Sequence, residues 1–402
     1  MIRLWLSCFF SRYHPRYVRS LVYMLQAGEY NIRDYVRWYG RTKDFLHVER
    51  RKHLVRTAKA MLLLATGWVM LLALYGAAFA LLWLRHGLFM LGLALAVLVL
   101  APFFLAYLIV ILLVVIRFLI QKPVEYVLLR RTHQQLASHK GIKIAIAGSF
   151  GKTSMREILK TVLSQGKKVA APPESFNRLL GIRKFTQGLT GNEEVLIFEF
   201  GEYYPGDINA LCRLVDPQWG VITGVNEAHL ETFKNLDRTA EDIFELAKWL
   251  GTKPLYVNGE SELARKSARA NDLVYTRQGV GDWKVENAKS DLSGTTCTLR
   301  KGDIELQLHS GLLGLHQIGP LAAAVDIGFR LGLSSQEIQQ GIAATKSFDH
   351  RLEQKVDASG VITLDDSYNG NPDGVRVVVE FLGSLKGHRR FYVTPGLVEM
   401  GA

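Results

Sequence analysis

The clearest chemical signal is a glycine-rich stretch between an apolar run and an amphipathic run. Residues 144–147 are apolar, residues 148–151 form a candidate turn, and Lys152, Thr153 and Ser154 open a candidate helix. Glycine lets backbone N–H groups approach phosphate oxygens, and a helix N-terminus adds free donors and partial positive charge. Lys152 would reach the β- and γ-phosphates, and the Thr153 hydroxyl would contact Mg²⁺. The stretch predicts a nucleotide site; the alternative is a plain strand-to-helix turn with an exposed lysine.

Three further groups of polar residues follow apolar runs in the sequence. They contain Asn177, Glu199 and His229 respectively. Ligands collect at the carboxyl ends of the strands in an open parallel sheet, so Glu199 could face bound phosphates and share a hard cation such as Mg²⁺ with them. Each residue taken alone has a plainer interpretation, because a loop histidine is usually a surface residue and a strand-end glutamate usually a salt-bridge or capping group.

The elements that must position these residues begin after Gly141, where short apolar strands alternate with helices. This rhythm is typical of a parallel α/β sheet. Threonine-rich alternation over residues 273–310 indicates antiparallel strands at the edge of the same domain, and residues 316–345 read as helical. The predicted parallel strands are residues 144–147, 195–200, 219–223 and 255–257. We expect a P-loop parallel-sheet ATPase domain over residues 141–350 and the start of a second α/β domain over residues 351–402.

Two long uncharged apolar runs precede this domain, at residues 60–84 and 88–116, the second with Pro102 as an expected kink. Each is long enough to span a bilayer as a helix. Lysine and arginine are abundant before the first run and recur after the second, so the positive-inside rule places both ends in the cytoplasm. The sequence therefore predicts a multi-pass protein of the cytoplasmic (inner) membrane, in contact with membrane lipids, with its catalytic domain on the cytoplasmic side.

Charge and cysteine content further limit the class of protein that this chain can be. The chain has 402 residues, 49% of them hydrophobic, and a net charge of +12. Residues 1–59 hold 13 Lys and Arg against 4 Asp and Glu, and the remainder is close to neutral, so we expect no nucleic-acid partner for the catalytic region. The three cysteines are far apart and predict no disulfide framework. We expect a basic juxtamembrane segment over 1–59, two transmembrane helices over 60–120 and a helical connector over 121–140.

Four motifs together resemble the Mur ligase family. They are Gly148-Ser-Phe-Gly-Lys-Thr-Ser154, Glu199-Phe-Gly-Glu202, Asn226-Glu-Ala-His-Leu-Glu231 and Asp365-Asp-Ser-Tyr-Asn-Gly-Asn-Pro372. They occur in the family's order and spacing, and the resemblance covers roughly residues 141–402. The last motif looks most like the branch that adds D-alanyl-D-alanine to a muramoyl-tripeptide precursor.

The resemblance implies ATP-dependent joining of a carboxylate to an amine through an acyl phosphate, with ADP and phosphate as products. It implies ATP and Mg²⁺ as cofactors, and as partners a small-molecule or lipid-linked cell-envelope precursor and an amino acid or dipeptide. The implied catalytic residues are Lys152, Asn177, Glu199 and His229, with Thr153, Glu199 and His229 on the metal. The implied nucleotide-binding residues are Gly148, Ser149, Gly151, Lys152, Thr153, Ser154, Gln317, Arg351 and Asp366.

This sequence departs from the family pattern in several places. Ile243 stands where the family has a carbamoylated lysine, and His316-Gln317 stands for its His-Asn. The basic arm and apolar hairpin replace the UDP-sugar-binding domain, and the chain ends at Ala402, early in the family's C-terminal domain, so a fragment is expected. The leading hypothesis is a membrane-anchored Mur-type ligase; a poly-γ-glutamate-type ligase and a catalytically degenerate nucleotide-binding scaffold are the alternatives.

Overall fold

The computed structural model describes residues 9–49, 53–83, 87–173, 176–227, 230–367, 372–387 and 389–394. The chain divides into two compact units, residues 1–126 and residues 127–402.

The first unit is helical. Its helices are α1 (Tyr17–Ala27), α2 (Ile32–Arg41), α3 (Ala58–Trp83) and α4 (Gly87–Ile116). Two buried tyrosines, Tyr17 and Tyr35, donate hydrogen bonds from their hydroxyls to carbonyls of α4, at Pro102 (2.9 Å) and Ala106 (2.9 Å). The rings of both tyrosines can therefore be buried without leaving their hydroxyls unpaired.

Helices α3 and α4 are long and apolar enough to cross a membrane, judged by length and composition alone. Beyond α4 the helix continues through a π-helical turn (Arg117–Gln121) into α5 (Lys122–Ser138). Such helices are weak evidence of a span, because buried helices of soluble proteins and N-terminal signal sequences pass the same test.

The second unit has an α/β fold, and its described residues form a ten-stranded sheet in the order β10-β9-β8-β7-β6-β5-β4-β1-β3-β2. The strands are β1 (Ile142–Ala147), β2 (Val169–Ala170), β3 (Val195–Glu199), β4 (Trp219–Ile222), β5 (Leu255–Asn258), β6 (Leu273–Thr276), β7 (Gly279–Val280), β8 (Trp283–Asp291), β9 (Gly294–Lys301) and β10 (Ile304–Ser310). Pairs from β2 to β6 are parallel and pairs from β6 to β10 antiparallel. The predicted α/β fold is confirmed, although β6, expected to be antiparallel, pairs in parallel with β5.

Helices cover both faces of this sheet. They are α6 (Lys152–Leu163), α7 (Leu179–Thr186), α8 (Asp207–Val215), α9 (Leu230–Phe233), α10 (Leu236–Ile243), α11 (Glu245–Leu250), α12 (Glu262–Ser267), α13 (Ile318–Arg330) and α14 (Ser335–Ala343). Because side chains alternate along a strand, Ile144 and Ile146 of β1 enter one core cluster with α6 and α13, whereas Ala145 and Ala147 enter the other with α8 and α11. Strand β1 is thus buried on both faces up to the residue before the glycine loop.

A smaller antiparallel pair follows, β11 (Glu353–Val356) and β12 (Ile362–Asp365), and then α15 (Pro372–Ser384). Phe381 of α15 packs with Leu313 and Leu385 in a separate apolar cluster. The Arg277 guanidinium, beside β6, forms an ion pair with Glu380 of α15 at 2.8 Å.

A buried carboxylate ties two strands of the sheet, β5 and β8, to α13. Asp326 accepts hydrogen bonds from the Tyr256 hydroxyl (2.7 Å), the Trp283 indole N–H (3.0 Å) and the Arg330 guanidinium (2.7 Å). Burial and the nearby Asp326 carboxylate raise the pKa of the Tyr256 phenol, which therefore stays a neutral donor. One acceptor thus satisfies donors from two strands and from its own helix.

Substituting Asp326 by alanine should lower the free energy of unfolding by about 3 kcal/mol, since buried donors lose their acceptor. Urea unfolding followed by circular dichroism measures the change. Asp303→Ala, at an exposed position before β10, is the control and should leave the transition in place. A midpoint for Asp326→Ala that matches the control would show that this network does not stabilise the fold.

Candidate functional site

The backbone of the loop between β1 and α6, residues 148–151, requires glycine at two positions. Gly148 and Gly151 have φ angles of +139° and +73°, which disfavour any residue with a side chain. A Cβ at Gly148 would collide with the Thr223 side chain and with the backbone of Gly224. The Ser149 N–H donates to the Gly224 carbonyl at 2.9 Å, so the segment after β4 is hydrogen-bonded to the loop.

Lys152, the first residue of α6, turns its ammonium group back towards this loop. Its Nζ lies 3.0 Å and 2.9 Å from the two carboxylate oxygens of Glu202, and it also donates to the Gly148 carbonyl. Glu202 is 1% exposed and lies just beyond the end of β3. The Lys152 ammonium, which would bind phosphate, is therefore already paired with the buried carboxylate of Glu202.

Glu199 lies at the carboxyl end of β3, and it is 7% exposed. Parallel pairing of β3 with β1 places Glu199 opposite Ile146, two residues before the glycine loop. Its carboxylate accepts from the Thr153 hydroxyl at 3.1 Å and from the Arg156 guanidinium at 3.2 Å. The structure thus brings Glu199 and Thr153 together, as the sequence led us to expect.

Two residues of this cluster had no role in the sequence interpretation. Arg156 is 2% exposed, and it follows Thr153 by three residues and therefore shares a helix face with it. Glu202 belongs to one of the four motifs, but the motif alone predicts no function for it. Helical spacing could have indicated Arg156, whereas the pairing of Glu202 with Lys152 depends on the path of the chain after β3.

Asn177 lies beside the segment that follows β3. Its carbonyl accepts from the Gly201 N–H at 2.9 Å, and its side-chain amide donates to the Tyr203 hydroxyl at 3.4 Å. The Arg178 guanidinium lies over the Tyr203 ring, 4.3 Å from its centroid. Asn177 is therefore next to the Glu199–Glu202 segment, while the predicted ligand His229 falls outside the described residues.

The residues predicted to contact the rest of the nucleotide have partners away from the phosphate loop. The Gln317 amide nitrogen lies 2.9 Å from the Nε2 atom of His316, and burial lowers the pKa of His316 to about 4. The Asp366 carboxylate accepts from the Leu352 N–H at 3.2 Å, and burial raises its pKa. Arg351 lies near Asp366, and its charge acts to lower the pKa of that carboxyl.

The residues at the loop fit a magnesium–nucleotide complex. A carboxylate and a hydroxyl, from Glu199 and Thr153, are oxygen ligands of the kind that Mg²⁺ prefers. The Ser149 hydroxyl oxygen is buried and has no hydrogen-bond partner among the described residues, which leaves it available to a phosphate oxygen. The positive end of α6 begins at the same point.

Comparison with curated proteins finds ligases of cell-wall synthesis. The chain is 32% identical over 258 residues to UDP-N-acetylmuramoyl-tripeptide–D-alanyl-D-alanine ligase of Mycobacterium leprae, covering 60% of this chain and 50% of that protein. It is 25% identical over 260 residues to the ligase of the same name from Bacillus subtilis, covering 64% and 56%. The chain thus spans about half the length of the curated relatives it matches.

Solved structures show the same fold. MurF from Acinetobacter baumannii superimposes with a TM-score of 0.60 at 21% identity, covering 65% of this chain and 58% of that one. MurF ligase from Thermotoga maritima, solved in complex with ADP, gives a TM-score of 0.57 at 24% identity, covering 64% and 60%.

The predicted location, a multi-pass protein of the cytoplasmic membrane with its catalytic domain on the cytoplasmic side, is wrong on these comparisons. The MurF ligases that the chain resembles are soluble cytoplasmic enzymes. Helices α3 and α4 were the basis of the prediction, and length with apolar composition does not distinguish a span from other long apolar helices.

The predicted resemblance to Mur ligases is confirmed by a match to the family described as the Mur ligase middle domain over residues 146–328. That range begins within β1, contains the glycine loop, Lys152 and Glu199, and ends in α13. The similarity of this chain to the Mur ligase middle domain therefore includes the whole candidate phosphate-binding region.

Proposed function

We propose that this chain is an ATP-dependent amide ligase of the Mur type, which joins the amine of D-alanyl-D-alanine to a carboxylate of a muramoyl-tripeptide precursor through an acyl phosphate. The observation that carries the proposal is the convergence of Lys152, Thr153 and Glu199 at the carboxyl ends of β1 and β3. The name shared by the relatives supports the substrates. We assign ATP binding to residues 141–350 and the start of the C-terminal ligase domain to residues 351–402.

The reaction requires a carboxylate to approach a triphosphate, and these two anions repel each other. In the proposed mechanism Lys152 and the N-terminus of α6 bind the β- and γ-phosphates and offset their charge. Thr153 and Glu199 would hold Mg²⁺, with His229 as a further ligand, and when bound the cation would supply positive charge next to the transferring phosphoryl group. Asn177, next to the segment after β3, positions the acceptor, while Gln317, Arg351 and Asp366 bind the rest of the nucleotide.

Arg156 has a supporting part in this mechanism. Its guanidinium contacts Glu199 at 3.2 Å and Glu157 at 2.8 Å, and it is almost completely buried. A fixed guanidinium that donates to a carboxylate restricts the orientation of that carboxylate. Arg156 therefore orients Glu199 beside the Thr153 hydroxyl.

The test is a coupled assay on the full chain with ATP, Mg²⁺, UDP-N-acetylmuramoyl-tripeptide and D-alanyl-D-alanine. We expect ADP release that requires both substrates, together with a product whose mass equals their sum less one water. Omitting either substrate is the control. ADP release that ignores both substrates, or no product despite ADP release, would contradict the proposal.

One observation favours a second candidate, a scaffold that binds nucleotide without ligating. Ile243, at the position of the family's carbamoylated lysine, is fully buried in α10 within the apolar cluster that contains Leu246. An isoleucine side chain at that position cannot help to bind a metal ion. The same assay separates the candidates, because a scaffold would bind ATP and yield neither ADP nor product.

A further inference from the structure

Glu202 forms an ion pair with Lys152, the side chain that would bind the phosphates of a nucleotide. Both of its carboxylate oxygens lie within 3.0 Å of the Lys152 ammonium, which is the bidentate approach expected of a strong charge-assisted contact. The side chains are 1% and 13% exposed, so water screens this pair weakly. An arriving phosphate must therefore compete with Glu202 for Lys152.

The charged side chains around the glycine loop are already paired, which disfavours binding of a nucleotide without a metal ion. Glu199 is balanced by the buried guanidinium of Arg156, which also contacts Glu157. Lys152 and Glu202 form a second balanced pair directly beside it. If Lys152 turns towards a triphosphate that arrives without a metal, it leaves the buried Glu202 carboxylate. The loss of this ion pair costs free energy that an added cation would offset.

We propose that Glu202 is a positioning residue that makes nucleotide binding depend on a divalent cation. A magnesium–nucleotide complex brings the positive charge that offsets Glu202 when Lys152 moves to the phosphates, whereas metal-free nucleotide does not. Glu202 thereby discriminates between the two forms of the ligand through its effect on Lys152. This inference rests on the proposed function only in placing the nucleotide at the glycine loop.

The first test compares binding of AMPPNP to the full chain in Mg²⁺ and in EDTA by calorimetry. For the unmodified protein we expect Mg²⁺ to tighten binding strongly. For Glu202→Gln we expect binding in EDTA to tighten by about tenfold or more, because a neutral amide no longer holds Lys152, and the Mg²⁺ enhancement to shrink by the same factor. Glu202→Ala should act in the same direction if the glutamine variant folds poorly by thermal melting.

Glu262→Gln is the matched control, because Glu262 forms a 2.7 Å pair with Lys266 on the exposed surface of α12. It should leave both affinities unchanged. If Glu202→Gln keeps the enhancement of the unmodified protein, or binds more weakly in both buffers, the inference is overturned.

The second test uses no nucleotide. Acetylation of Lys152 by acetic anhydride, followed by peptide mass spectrometry, should be faster in Glu202→Gln than in the unmodified protein, while acetylation of Lys160 should not change. Equal rates for Lys152 would overturn the inference.

The failures of the two proposals remain distinguishable. Product formation with an unchanged Mg²⁺ enhancement in Glu202→Gln overturns the role of Glu202 alone. A changed enhancement without any product overturns the ligase function alone and leaves the role of Glu202 supported. An unmodified protein that binds no nucleotide in either buffer overturns both.

Discussion

Replacing Lys152 by alanine is expected to lower kcat/KM for substrate-dependent ADP formation by about 10³-fold. The lysine supplies the mobile positive charge at the glycine loop, and its Nζ can exchange the Glu202 carboxylate for phosphate oxygens across a short distance. A water molecule in the space left by the side chain would not offset the charge of the γ-phosphate. Initial rates across a range of ATP concentrations measure the effect.

Lys160→Ala is the matched control for this prediction. Lys160 lies on the same helix and is half exposed, and its contact with Glu157 is long, at 4.0 Å. Surface pairs of this kind contribute little, so its rates should stay within about twofold of the unmodified protein. Retention of more than a tenth of the activity by Lys152→Ala, in a protein with an unchanged melting temperature, would show that Lys152 does not carry the phosphate chemistry.

Sequence patterns predicted the central part of this domain because local and long-range preferences agree there. An apolar run, a glycine turn and an amphipathic helix determine β1, the loop and α6 with little help from the rest of the chain. Parallel pairing then follows from the alternation of strands and helices, and it places Glu199 next to the loop. Proximity of Lys152, Thr153 and Glu199 therefore follows from the sequence pattern.

Strand ends were harder to predict where a charged residue is buried. The sequence indicates a strand at 144–147, but β1 starts two residues earlier and includes Lys143, which is 2% exposed. The Lys143 ammonium donates to the Leu136 carbonyl at 3.2 Å, and burial lowers its pKa. Hydropathy alone predicts that a lysine lies outside a buried strand. It carries no information about the Leu136 carbonyl, which accepts the hydrogen bond that allows Lys143 to be buried.

The pairing of Lys152 with Glu202 could not be read from the sequence for a related reason. Fifty residues separate the two side chains, and both carboxylates of the Glu199-Phe-Gly-Glu202 motif are candidates for the same lysine. Which one contacts it depends on how the chain turns after β3 ends at Glu199. The outcome assigns Glu199 to Thr153 and Arg156, and Glu202 to Lys152.

Replacing Glu199 by glutamine should lower kcat by about 10²- to 10³-fold and raise the Mg²⁺ concentration needed for half-maximal activity. Glutamine has nearly the same shape but offers a neutral oxygen, which binds a hard cation less well. The substitution also removes one of the two carboxylates that contact the buried Arg156 in the described part of the chain, so a fall in melting temperature should accompany the loss of activity. Activity titrations with Mg²⁺ and thermal melting measure the two effects separately.

Glu157→Gln is the control that separates metal binding from the loss of an arginine partner. Both carboxylates contact Arg156, but only Glu199 also accepts from the Thr153 hydroxyl. Glu157→Gln should therefore retain the normal Mg²⁺ requirement even if its melting temperature falls slightly. If the two variants shift the Mg²⁺ requirement equally, Glu199 acts through Arg156 and not as a metal ligand. In that case Thr153 would have to hold the cation with ligands other than Glu199, and the proposed arrangement of charges around the γ-phosphate would need a different anion at the end of β3.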